Sequence, residues 1–316
     1  MPVTPPGRGV SGRSVPVALL ISLRPEQWTK NVIVFAGLMF GAGEAARRAQ
    51  LLSGAVIGRT LVAFVTFCAV SGVVYLVNDI ADREADRRHP LKCRRPIASG
   101  DLPVAVAATA ATVIAVGALA VAFWLSVPFG IVAAAYVALL AAYSVRLKHA
   151  VILDVMTLAI GFVLRVVAGA VVIDVPISHW LLVCTILLAL FLAMSKRRHE
   201  LVLLADAAVE HRKILGEYSP YLLDQMIGVV TASTLIAYIF YTISPETQQK
   251  FGTPWLGLTI PFPLYGIFRY LYLVHRKEGG GSPTAMLMND RPLLVCVALW
   301  VVAVVAIVYR PIVFGR

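Results

Sequence analysis

The sequence predicts an all-α, polytopic membrane protein of nine transmembrane helices, and three observations carry that prediction. Hydrophobic residues fill 59% of its 316 positions and the mean hydropathy is +0.82, more apolar surface than one water-soluble core of this length can hide. Apolar segments long enough to cross roughly 30 Å of hydrocarbon recur along the whole chain. The charged residues, only 14% of the total with a net charge of +11, are concentrated between those segments.

In chain order, residues 1–14 are rich in Pro and Gly, carry Arg8 and Arg13, and read as a disordered leader ahead of a single transmembrane domain, 15–316. The apolar run 15–23 is short, lacks a small-residue cleavage site and is not a signal peptide. The first span, 17–43, is interrupted by Arg24, Glu26 and Lys30, so it reads as an interfacial segment leading into a tilted helix. Eight further spans follow at 55–77, 104–124, 127–143, 151–173, 179–195, 222–243, 255–274 and 292–309.

With a cytoplasmic N-terminus, 20 of the 28 Lys and Arg residues fall in inside segments. That excess sets the orientation in the inner (plasma) membrane and puts the polar loops on the cytoplasmic side. The positive balance suits anionic lipid head groups or anionic substrates. No basic stripe with interleaved aromatics occurs, so nucleic acid is not an expected partner. Cys68, Cys93, Cys184 and Cys296 are scattered, and read as small core residues rather than a disulfide framework or metal knuckle.

The second span runs on from Tyr75 to Asp86 with no Gly or Pro to break the helix, carrying Asn78, Asp79, Asp82 and Asp86. Spacings of three and four place all four on one helical face. Stacked carboxylates repel, so a positive partner is required. A hard divalent cation, Mg²⁺, bridging to phosphate oxygens is the most economical one, with pairing to Arg83, Arg87 and Arg88 as the plain alternative. Just downstream, Lys92, Arg94 and Arg95 supply the positive charge a diphosphate needs once a metal has neutralised part of it.

Other polar residues lie inside or at the ends of spans, where charge is costly without a role. Lys30 and Asn31 are placed to bind phosphate, against snorkelling of Lys30 to head groups. Arg165 sits mid-span, with Asp154 or a bound phosphate as its expected partner. Lys148 and Asp154 flank the fifth span and either hold ligand or pair with other charges. Lys196 and Glu200, four apart, have the spacing of a helix ion pair. His199 and His211 show no metal spacing, and Gly279 to Ser282 reads as a linker, since no Lys-Ser/Thr follows it.

Asn78-Asp79-Ile80-Ala81-Asp82-Arg83-Glu84-Ala85-Asp86 resembles the N-D-x-x-D-x-x-x-D motif of the UbiA superfamily of intramembrane prenyltransferases. The resemblance extends to Arg24-Pro25-Glu26-Gln27-Trp28-Thr29-Lys30-Asn31, to Arg95-Pro96-Ile97-Ala98-Ser99-Gly100, and to the stretch from Tyr143 to Lys148 leading to Asp154. It implies a nine-helix bundle whose central cavity, open to the cytoplasm, binds a Mg²⁺-diphosphate at Asn78, Asp79, Asp82 and Asp86. Where typical members carry a second aspartate-rich motif, this chain reads Met194-Ser195-Lys196-Arg197-Arg198-His199-Glu200. Asp206 and Glu210, four apart, could replace it.

That basic stretch, with Asp290-Arg291-Pro292 before the last span, is similar to the branch of the superfamily that uses phosphoribosyl diphosphate (PRPP) and a polyprenyl phosphate. The resemblance implies transfer of the 5-phosphoribosyl group to a lipid such as decaprenyl phosphate for cell-wall arabinan precursors. Lys30, Asn31, Arg94, Arg95, Tyr143, Lys148, Asp154, Arg165, Lys196, Arg197 and Glu200 would bind the two anionic substrates. The alternatives are prenyl transfer to an aromatic acceptor and, from another class, a transporter, for which no broken helix pair or repeat is seen. A homo-oligomer is compatible with the sequence.

Overall fold

The apolar runs become helices because a chain in hydrocarbon must satisfy every backbone N–H and C=O within itself. The computed structural model describes residues 12–41, 45–89, 92–204, 213–276 and 283–313. The expectations for most of the leader, for Asp206, Glu210 and His211, and for Gly279 to Ser282 lie outside those residues. Among the described residues the order is α1 (Val15–Ser22), a 3₁₀ segment (Pro25–Phe35), α2 (Ala36–Gly41), α3 (Ala45–Leu51), α4 (Gly54–Ala81), α5 (Arg83–Arg88), α6 (Pro96–Ser99), α7 (Val104–Leu125), α8 (Val127–Val145), α9 (Leu153–Val171) and α10 (His179–Leu204). Then come α11 (Pro220–Ile243), α12 (Pro245–Phe251), α13 (Pro261–Arg276), α14 (Pro283–Asn289) and α15 (Arg291–Val313), with short 3₁₀ turns between several of them. The fold is all-helical.

Seven helices among the described residues, α4, α7, α8, α9, α10, α11 and α15, are long and apolar enough to cross a membrane. The other two expected spans are built differently. The stretch 17–43 is divided into α1, the 3₁₀ segment and α2, breaking at Arg24, whose φ of 52° no helix accommodates. The stretch 255–274 is a 3₁₀ turn (Trp255–Thr259) followed by the 16-residue α13. Large apolar side chains face outward along the long helices, Val113 and Val116 of α7 being 66% and 65% exposed, which only a lipid solvent makes favourable.

The chain divides into two compact units. The first comprises residues 1–32 and 61–144. Its core joins Ala18 of α1, Val73 and Leu76 of α4, Ile97 of α6, and Leu102, Ala107 and Ala111. Gly72 marks a close approach of α4 to the residue after α1, where a Cβ would push the Leu23 side-chain tip aside from 2.7 Å. The second unit comprises 33–60 and 145–316. Its main core joins Val155 of α9, Phe191 and Met194 of α10, Leu223 and Ile227 of α11, and Ile267 and Tyr270 of α13. Gly37 of α2 and Gly169 of α9 let the two meet backbone to backbone, a Cβ on Gly37 falling 2.8 Å from the Gly169 carbonyl, while a Cβ on Gly169 would collide with the Val34 carbonyl at the end of the 3₁₀ segment.

Candidate functional site

In the first unit the acidic residues lie where α4 hands over to α5. The helix does not run through without a break: α4 ends at Ala81, and Asp82 (φ −91°, ψ 5°) forms the joint. The hydrogen-bond ladder nevertheless persists, Asp82 N–H donating to the Asn78 carbonyl (2.9 Å) and Asp86 N–H to that of Asp82 (2.8 Å). Asp79 and Asp86, seven apart, therefore share a face. Both are buried, at 2% and 3% exposure, while Asn78 and Asp82 are half-buried.

Two arginines neutralise the buried pair. Arg95 Nη1 donates to Asp79 Oδ1 (3.1 Å) and Asp86 Oδ2 (2.6 Å), and Arg24 Nη2 donates to Asp79 Oδ1 (2.6 Å). The plain alternative named other partners: Arg83 and Arg87 pair instead with Glu84. Arg95 is aimed by its local sequence. Pro96 starts α6, Pro96, Ile97 and Ala98 are buried, and Gly100 in the left-handed region (φ 95°) ends the turn, leaving Arg95 at the N-cap beside α5. Arg87 Nε donates to the Ala98 carbonyl (3.1 Å), tying α5 to α6.

The sequence reading saw Arg24 as an interruption of the first span and as the head of the resembling stretch to Asn31, but gave it no role at the site. Its guanidinium also lies over the Tyr75 ring, 4.7 Å from the centroid. An arginine followed by proline inside an apolar run was the available signal. Asn31, wholly buried, serves the interior of its own unit, donating to Cys68 Sγ (3.4 Å) and accepting from Ser71 (3.3 Å). Lys30 and Tyr143 are half-buried, and Arg94 is exposed.

The second unit holds its own polar cluster, centred on Asp154 at the start of α9. Asp154 is 0% exposed; Arg197 Nε donates to its Oδ2 (2.8 Å) and the Tyr218 hydroxyl to its Oδ1 (2.8 Å). Arg197 Nη1 reaches Glu200 (2.6 Å), and Lys196 lies 3.8 Å from the same carboxylate. Arg198 points elsewhere, to Asp224, which also meets His275. Arg165 donates to the Gly161 carbonyl (3.1 Å) and lies over the Phe162 ring, while the carboxylate expected to be its partner is the one held by Arg197 and Tyr218. Lys148 is half-buried in the turn before α9.

Tyr218 is a second residue that sequence reasoning missed. Its hydroxyl accepts the Ile152 N–H (2.7 Å) while donating to Asp154. Ile152 is β-branched yet has a φ of 68°, a conformation costing on the order of 1–3 kcal/mol. Burial pushes the Tyr218 phenol up to about 12, so it stays a neutral donor. Sixty-four residues separate it from Asp154, and nothing local in the sequence announces the pair.

Among the described residues no three His, Cys, Asp or Glu side chains come close enough together to hold a metal ion. The donor set of the first unit nevertheless fits a hard cation. Asp79 and Asp86 converge on a single positive nitrogen of Arg95, and Mg²⁺ is commonly held by one or two carboxylates with substrate phosphates and water completing its shell.

Long apolar helices with charges gathered at their ends define an integral, multi-pass membrane protein. The chain belongs to the UbiA prenyltransferase family, whose sequence profile matches residues 31–290. It is 33% identical to the decaprenyl-phosphate phosphoribosyltransferase of Mycolicibacterium smegmatis, over 96% of this chain and 95% of the relative. It is 32% identical to the protein of that name from Corynebacterium glutamicum, over 92% and 86%. A solved UbiA homolog from Archaeoglobus fulgidus, bound to GPP and Mg²⁺, shares the fold with a TM-score of 0.70 at 17% identity, covering 92% of this chain and 99% of that one.

Proposed function

We propose that this protein transfers the 5-phosphoribosyl group from PRPP to a polyprenyl phosphate such as decaprenyl phosphate and releases pyrophosphate, acting in the plasma membrane from its cytoplasmic side. The observation that carries the reading is the basic stretch on α10 in place of a second acidic motif. There Asp154, Glu200 and Asp224 are each already engaged by Arg197 or Arg198, so the nearby carboxylates are taken up by internal ion pairs rather than left for a second metal. The names of the full-length relatives point the same way.

Asn78, Asp79, Asp82 and Asp86 would hold Mg²⁺, which when bound polarises the diphosphate and stabilises its departure. Arg24 and Arg95 keep the buried carboxylates neutralised before substrate arrives. Arg95, with Arg94, then takes up charge on the diphosphate, and Lys148 is assigned to binding of an anionic substrate. As the C1–O bond to diphosphate breaks, an oxygen of the lipid phosphate attacks C1. Positive charge develops on the ribose and negative charge on the leaving group, so these cations stabilise the transition state more than the ground state. No general base is needed, because the lipid phosphate is already ionised. Lys30, Tyr143 and Arg165 are assigned to substrate contact, and Lys196, Arg197 and Glu200 to positioning the ribose or the lipid phosphate, while the wholly buried Asn31 is left to the packing of its own unit.

Purified protein with Mg²⁺ is incubated with labelled PRPP plus polyprenyl phosphate, or with prenyl diphosphate plus aromatic acids. Turnover in the first mixture is expected; turnover only in the second, which the family name also fits, overturns the reading. Asp82→Asn is expected to abolish activity while the protein stays folded, and full activity in that variant refutes the metal assignment.

A further inference from the structure

At the other end of α10 from Arg197, the second unit contains a polar-rimmed cavity of about 210 Å³. His179 opens α10 and lines it. Arg197 stands eighteen residues further on, about 27 Å along the helix at 1.5 Å per residue, close to the thickness of a bilayer core. The cavity thus belongs to the opposite membrane interface from the arginine cluster. Trp180, packed on Phe240 at 6.1 Å, and Trp255, 52% exposed, stand at that end, as indole rings do at the head-group level.

The cavity carries both signs of charge. Phe40 and Leu181 contribute apolar wall, while Tyr241, Glu246, Lys250 and His179 supply polar groups. Among the described residues the side chains of Tyr241, Glu246 and His179 have no hydrogen-bond or ion-pair partner. The volume is below the roughly 300–1,000 Å³ of sites for drug-sized ligands, so a head group fits better than a whole substrate. An acid and a base one helical turn apart select a zwitterion over a simple anion.

We propose that this cavity binds the head group of an amine-bearing zwitterionic phospholipid, with its phosphate at Lys250 and His179, its ammonium at Glu246 and the Tyr241 hydroxyl, and its acyl chains leaving along Phe40 and Leu181. The assignment is independent of the transfer reaction. Full-length protein, delipidated in detergent, is titrated with phosphatidylethanolamine and with phosphatidylglycerol and read by native mass spectrometry. Wild type is expected to hold phosphatidylethanolamine about tenfold more tightly, the size of one charge-assisted hydrogen bond. Glu246→Gln should lose that preference, and Lys250→Met should weaken both lipids. Lipid-free melting temperatures equal to wild type establish that both variants fold. Equal affinity of wild type for the two lipids, or an unchanged preference in E246Q, overturns the proposal. So does binding of free phosphoethanolamine as tight as that of the lipid, which would make the ligand a soluble amine phosphate.

Discussion

Replacing Asp154 by Asn tests whether this carboxylate is part of the protein's own framework. Asp154 is fully buried and the Arg197 side chain is 3% exposed, so removing the negative charge strands a guanidinium in a medium that solvates it poorly. Breaking such a pair from one side costs about 3–5 kcal/mol. Glu200 still accepts from Arg197 Nη1 at 2.6 Å, which places the expected loss near the lower end, about 3 kcal/mol. In a thermal melt in detergent this is a fall on the order of 5–10 °C. The double variant Asp154→Leu, Arg197→Met removes both desolvated charges together and should recover about 2 kcal/mol of that loss, leaving the Tyr218 hydroxyl without its acceptor and the partly exposed Glu200 paired with Lys196. If D154N melts like wild type, the carboxylate is not held by the ion pair, and the account of the second unit's polar cluster fails.

Arg95→Met leaves Asp86 without the cation that neutralises it and Asp79 with Arg24 alone. Millimolar Mg²⁺ should then raise the melting temperature of R95M more than that of wild type, and an equal response would count against cation binding by these acids. Gly169→Ala should fail to accumulate as folded protein because its methyl meets the Val34 carbonyl. Gly58→Ala, with nothing within 4 Å, should be neutral or stabilising by up to about 1 kcal/mol; matched expression of the two would refute the close crossing of α2 and α9. Asp290, just before α15, has its carboxyl held below the ordinary range by the hydrogen bond from Arg269. Because the folded-state value is lowered, its contribution is present above the unfolded value of about 3.9 and is lost as pH falls below it. The stability gap between wild type and Asp290→Asn, followed by melting, should therefore narrow from pH 6 to pH 3; a constant gap would show that the charge is not what matters.

Much of the fold was legible before any coordinates, for a one-dimensional reason. Transfer of side chains to hydrocarbon is summed along a run of residues, so 104–124 could be read as a span and appears as Val104–Leu125. The same holds for the acidic motif, whose spacing alone puts Asp79 and Asp86 on one face, whereas the short helix from Pro96 to Ser99 that aims Arg95 was not read from the sequence. The first span was less legible, because the backbone at Arg24 takes a conformation that no composition predicts.

Which charges meet was a matter for the tertiary structure. Sequence proximity suggested Asp154 as a partner for Arg165, yet Asp154 is held by Arg197, 43 residues away, and Tyr218, 64 away; Arg24 reaches Asp79 across 55. By itself the sequence determined that the chain is a set of membrane-crossing helices with acids on one helix end and bases on another. Hydropathy and helical periodicity are properties of neighbours along the chain, whereas neutralising a buried charge depends on a few ångströms in space. Helix packing therefore brought Arg24 and Tyr218 to carboxylates no local pattern connects them with.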